Sequence, residues 1–90
     1  MLMWNVMELS DILAQHPNTI RRWIRLGKLR GVKACNIHGY EVTTRALFEY
    51  LDTDPRRKLR FLYRLTHDAT IGEKDSTEVK HYLKRKGYIQ

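Results

Sequence analysis

Asn18, Arg21, Arg22 and Arg25 are the side chains of this chain whose types and spacing best suit them to chemistry. On a helix at 100° per residue they fall within an arc of about 100°, and Ile20, Trp23 and Ile24 fall on the opposite side. One face is free to bury itself, while the other presents three guanidiniums and an amide. Arginine bonds bidentately to guanine and asparagine to adenine in the major groove. A short helix patterned this way is suited to reading duplex DNA. The plainer alternative is an amphipathic surface helix that happens to be basic.

The flanking residues supply the elements that would position such a helix. Residues 5–13 read as a preceding short helix. Asn5 can cap it, Glu8 at the third helical position completes a capping-box pattern, and Val6, Leu9 and Leu13 share a face with Ser10. Ala14, Gln15 and His16 form a three-residue turn. Pro17 suits the first position of the next helix, where its missing N–H costs nothing, and Gly27 is placed to end it. Two short helices, a tight turn and a basic outer face on the second make a helix-turn-helix pattern over residues 5–26. Leu29 and Val32, then Tyr40 and Val42, read as two short strands, with Asn36, His38 and Gly39 as turn formers between them. Thr43 or Thr44 then caps a third helix over residues 45–51, with Leu47, Tyr50 and Leu51 toward the core. The expected fold is mainly α with a small β-hairpin: a winged helix-turn-helix over residues 1–52 and a helical extension over residues 53–90.

Residues 4–51 resemble the excisionase-like, MerR-type winged helix-turn-helix family. The resemblance is carried by Glu8, the Pro17-x-Thr19-Ile20-Arg21-Arg22-Trp23 block, Gly27-Lys28-Leu29, and Tyr40-x-Val42-Thr43 running into a helix. The Thr-apolar-Arg-Arg-Trp-apolar-Arg block is similar to an excisionase recognition helix. The resemblance implies base contacts from Asn18 and Arg22. Backbone or mixed contacts are expected from Pro17, Thr19, Arg21, Arg25, Lys28 and Lys33. Many relatives place arginines in the wing to enter the minor groove. Here Ala34, Cys35, Asn36, Ile37, His38 and Gly39 carry no cation, and only Lys33 at the base of the wing is charged. His16 also departs from the pattern, standing where a small capping residue is usual.

Charge distribution agrees with a polyanionic partner. The chain has 90 residues and a formal net charge of +7. Between Ile12 and Tyr40 there are six Lys or Arg and no Asp or Glu. This is an electrostatic footprint for nucleic acid. A membrane surface would need a long basic amphipathic helix or a lipidation motif, and neither is evident. A single cysteine rules out an intramolecular disulfide and points to the cytoplasm.

The last two-fifths of the chain is harder to read. Asp54-Pro55 has the form of a cap followed by a first-position proline, opening a helix over residues 56–65. Leu59 and Leu62, with Phe61 and Leu65 beside them, make its expected buried stripe. Residues 67–74 read as a loop. Asp75-Ser76-Thr77-Glu78 is a capping-box pattern for a final helix ending near Lys86, stopped by Gly87, with Val79, Tyr82 and Leu83 as its apolar stripe. These helices either complete the core or offer a surface to a partner, which would be a second copy or a recombinase.

Catalysis and metal binding find little support. Cys35-x-x-His38 has ligand-like spacing, but zinc needs four ligands and no second pair lies at a suitable distance. Cys35 lacks an evident base, and no glycine-rich phosphate loop is present. No cofactor, metal or catalytic residue is expected. The leading expectation is a sequence-specific double-stranded DNA-binding protein of excisionase type. Such a protein binds repeated sites, self-associates on DNA, bends it and works with an integrase or recombinase. A transcriptional or plasmid-replication regulator on the same fold is one alternative. A packaging or recombinase adaptor acting through protein contacts is another.

Overall fold

The computed structural model describes residues 2–33 and 39–90. It is mostly helical with a small antiparallel sheet. The elements run β1 (Met3–Asn5), α1 (Val6–Leu13), α2 (Pro17–Arg25), β2 (Val32–Lys33), β3 (Tyr40–Thr43), α3 (Thr44–Leu51), α4 (Pro55–His67), β4 (Thr70–Ile71), β5 (Lys74–Asp75) and α5 (Ser76–Lys86).

Local chemistry sets the first two helices. The Glu8 amide donates to Asn5 Oδ1 at 2.8 Å, and the Asn5 amide donates to Glu8 Oε1 at 2.9 Å, closing a reciprocal capping box on α1. The α1 helix stops at Ala14, whose φ of 53° is left-handed, and α2 begins three residues later. His16 caps α2 itself: the Asn18 amide donates to its Nδ1 at 3.1 Å. A ring nitrogen here does the work that a small side-chain oxygen usually does. At the other end, Gly27 at φ 77° sends its amide to Ile24 O, and Lys28 sends its amide to Trp23 O. This is a Schellman close, and only glycine takes that φ without strain.

The sheet has the order β1-β3-β2, both pairs antiparallel, with Trp4 opposite Val42 and Val32 opposite Glu41. The hairpin expectation holds for Val32, Tyr40 and Val42. Leu29 belongs instead to the turn after α2, where it is fully buried. The turn formers Asn36 and His38 lie outside the described residues. Strand β1 is an addition. Three residues carry too little alternation to announce a strand, and its pairing is set by a partner some 40 positions away.

Thr43 caps α3, its Oγ1 accepting from the Ala46 amide at 3.0 Å. Thr44 is buried and accepts from Trp4 Nε1 at 2.9 Å, so the indole inside the core keeps a partner. The fourth helix starts at Pro55 and runs to His67, longer than the 56–65 expected. Its buried stripe also differs. Phe61 and Leu65 are buried, Leu62 is half-buried, and Leu59 is 69% exposed. Because α4 packs on α1, α3 and α5, the buried direction is the Phe61–Leu65 line. Leu59 stands roughly 140° from it on the wheel.

Residues 67–74 are not simply a loop. They hold the end of α4 and most of a two-stranded hairpin, β4–β5, turning at Gly72 with φ 62°. A Cβ at Gly72 would stand 3.0 Å from Glu8 Cβ, so the hairpin sits directly on α1. Lys74 Nζ donates to the buried Glu8 Oε2 at 2.5 Å and fastens that contact. Asp75 Oδ1 accepts from the Thr77 and Glu78 amides to cap α5, and Gly87 at φ 82° closes it.

One core joins all of this. Trp4, Leu9, Ile20, Leu47 and Leu51 share it with Phe61, Leu65, Ile71, Val79 and Leu83. Phe61 meets Trp4 and Phe48 edge-to-face, at 6.1 and 5.4 Å between ring centroids. Helix α5 is as much part of this core as α4. Tyr82, expected in its apolar stripe, is half-buried at the margin.

Candidate nucleic-acid interface

The α1–turn–α2 unit presents the outer face of α2. Ile20 and Trp23 are buried and Ile24 is packed against the core, so the helix has a fixed orientation. Asn18, Arg22 and Arg25 are exposed on the far side. Arg21 is half-buried at the edge of this face, and its Nη1 donates to Asn18 Oδ1 at 2.8 Å. That bond takes one lone pair of the amide oxygen. The second lone pair and both amide hydrogens stay available, so Asn18 keeps the donor–acceptor edge needed for adenine. Pro17 and Thr19 are half-buried at the start of the helix. Arg22 and Arg25 sit in its last turn, where the helix dipole favours cations.

Trp23 lies inward, 7% exposed, tilted against Tyr50 with ring centroids 5.1 Å apart. Two cations cover this aromatic pair. Lys28 Nζ is 4.8 Å from the Trp23 ring centroid, and the Arg57 guanidinium, from α4, is 5.2 Å from it. Arg57 is held in turn by Asp54, which also accepts from the Tyr50 hydroxyl at 3.3 Å. The Arg57 hydrogen bond keeps the Asp54 carboxyl below its ordinary range, and burial pushes the Tyr50 phenol up. Sequence reasoning missed Arg57. Nothing along the chain announces its place beside Trp23, 34 positions earlier, because only the packing of α4 brings the two together.

The basic residues of this half divide into two groups. Arg30 and Arg45 both reach Glu49, at 3.3 and 3.7 Å. Among the described residues, Arg22, Arg25, Lys28 and Lys33 have no acidic partner within ion-pair distance, and all four are exposed. Asn18, Arg21, Arg22 and Arg25 are therefore brought together on one surface. Lys28 lies over the Trp23 ring, and Lys33 stands apart on β2, which pairs with β3. Leu26 is 73% exposed beside the arginines and offers an apolar contact of the kind that meets a thymine methyl.

Cys35 and His38 lie outside the described residues. Among the described residues, no group of three or more His, Cys, Asp or Glu is placed to hold a metal ion. No helix among them is long and apolar enough to cross a membrane. No family model matches this chain, and no match is found among curated proteins or solved structures.

Proposed function

We propose that this protein binds duplex DNA sequence-specifically through α2, as a winged helix-turn-helix module of the excisionase type, and is not an enzyme. The observation that carries the reading is the outer face of α2. Asn18, Arg22 and Arg25 stand exposed there without an acidic partner among the described residues, on a helix anchored from behind by Ile20 and Trp23. Phosphate contacts from Arg25, Lys28 and Lys33 supply affinity, and the edges of Asn18 and Arg22 supply sequence. A single module this small buries too little surface for tight specific binding alone. Repeated sites and self-association on DNA follow; bending of the duplex and recruitment of an integrase or recombinase belong to the proposal through the excisionase resemblance.

The test is selection of bound duplexes from a random pool, followed by titration on one and on two tandem copies of the selected site. An enriched motif whose recognition is lost in Asn18→Ala and Arg22→Ala supports the proposal. Recovery of no motif at any salt concentration removes it.

A further inference from the structure

Helix α4 turns an apolar pair to solvent: Leu59 is 69% exposed and Tyr63 is 61% exposed. They stand four positions apart and so form neighbours on one helical face. The cations of α4 are not equivalent around this pair. Arg57 is bound to Asp54, Lys58 to Asp52 at 2.7 Å, and Arg64 to Asp11 and Asp68 at 3.3 and 2.9 Å. Burial disfavours the Arg64 charge, but those bonds more than restore it. Arg56 and Arg60 are exposed and have no acidic partner among the described residues. On the helix wheel both fall within about 100° of Tyr63, along one side of the apolar pair.

The aromatic is also held in place. The Tyr63 ring stacks on His67, with centroids 4.0 Å apart and planes 14° apart. His67 Nδ1 lies 2.9 Å from Tyr63 O and 2.8 Å from Thr66 Oγ1, which fixes the imidazole that supports the stack. A surface aromatic ordered before binding loses less entropy on contact.

We infer that this face of α4 docks an acidic amphipathic helix of a partner protein, its apolar stripe on Leu59 and Tyr63 and its carboxylates on Arg56 and Arg60. Charge complementarity selects this occupant. A second copy packed face to face through α4 would set Arg56 and Arg60 against the same arginines. A phosphate backbone would engage the arginines but leave the leucine and tyrosine unpartnered. An acidic helix satisfies both groups, in the groove-and-helix manner of many peptide contacts. This site is separate from the α2 face and does not depend on DNA binding.

The test uses the full chain and a synthetic helical peptide of about 15 residues, with a leucine stripe flanked by glutamates. Backbone amide NMR shifts and fluorescence anisotropy follow the titration. The expected result is perturbation centred on Leu59–Tyr63. Affinity should fall at least tenfold in Leu59→Ser, and again in Arg56→Glu/Arg60→Glu. No binding is expected for the same stripe flanked by lysines, and no change in Arg22→Ala. The substituted positions are exposed, so the variants should keep the wild-type melting temperature within a few degrees. Four results would overturn the inference: no α4 perturbation, equal binding of the lysine-flanked peptide, undiminished binding by Leu59→Ser, or α4 shifts produced by duplex DNA or by raising protein concentration alone.

Discussion

Substituting Arg25 by alanine tests the charge reasoning most directly, because the number of free cations can be counted from the structure. Arg22, Arg25, Lys28 and Lys33 are exposed and have no acidic partner among the described residues, whereas Arg30 and Arg45 are tied to Glu49. Each phosphate neutralised on B-DNA releases condensed counterions and contributes about −0.9 to the slope of log K against log salt. With Arg22 assigned to a base, Arg25, Lys28 and Lys33 give about three phosphate contacts and a slope near −2.7, a loss of about 40-fold between 50 and 200 mM salt. Arg25→Ala should reduce the slope by about 0.9, to near −1.8, and the loss over the same interval to about 12-fold. It should also weaken binding to all sequences alike, since a phosphate contact carries no sequence information. Fluorescence anisotropy on a labelled duplex, at several salt concentrations for each protein, gives both slopes. A wild-type slope shallower than about −1, or an Arg25→Ala slope equal to wild type, would refute the count and the docking through α2.

Four further outcomes are expected. Asn18→Ala and Arg22→Ala should each reduce discrimination between the selected site and scrambled DNA by about 1–3 kcal/mol, the worth of a bidentate base contact, while nonspecific binding falls less; competition titration measures this. Trp23→Ala should cost about 3–5 kcal/mol, because the ring is 7% exposed and packed on Tyr50. That lowers the melting temperature by at least about 12 °C in so small a domain, and a stable variant that has lost only DNA binding would reverse the assignment of the two faces. Glu8→Ala removes the capping box and leaves Lys74, 17% exposed, without its carboxylate; urea unfolding should show a loss of about 3 kcal/mol, the low end for breaking a buried pair. The Asp54 carboxyl titrates below its ordinary 3.8 because Arg57 donates to it. Its contribution to stability is therefore complete above that value and lost as pH falls through the folded-state value, so Asp54→Asn should flatten the acid limb of the melting curve against pH.

Which parts of the chain were legible follows from the range of the interactions that set them. The capping box at Asn5 and Glu8, the proline at position 17 and the Schellman glycine at position 27 all act within four residues, and the structure has each in its expected place. Trp23 and the outer arginines separate on α2 as the 3.6-residue period requires. Helix α4 was harder, because a wheel with apolar residues at Leu59, Phe61, Leu62 and Leu65 is nearly continuous. Period alone does not choose between the Leu59–Leu62 and Phe61–Leu65 directions. The same limit hid β1 and the β4–β5 hairpin, whose two or three residues carry no usable alternation.

By itself the sequence determined where α1, α2 and α5 begin and end and which face of α2 is basic, since caps, prolines, glycines and apolar period are local properties of the chain. Tertiary packing decided the rest. It set Trp4 against Val42 in the sheet and placed Gly72 and Lys74 on Glu8. It brought Arg57 over Trp23 and Arg30 to Glu49, while Arg22 and Arg25 were left with no acidic partner among the described residues. It also left Leu59 and Tyr63 in solvent. Those outcomes depend on residues tens of positions apart meeting across a shared core, and no local rule of period or capping specifies which of them meet.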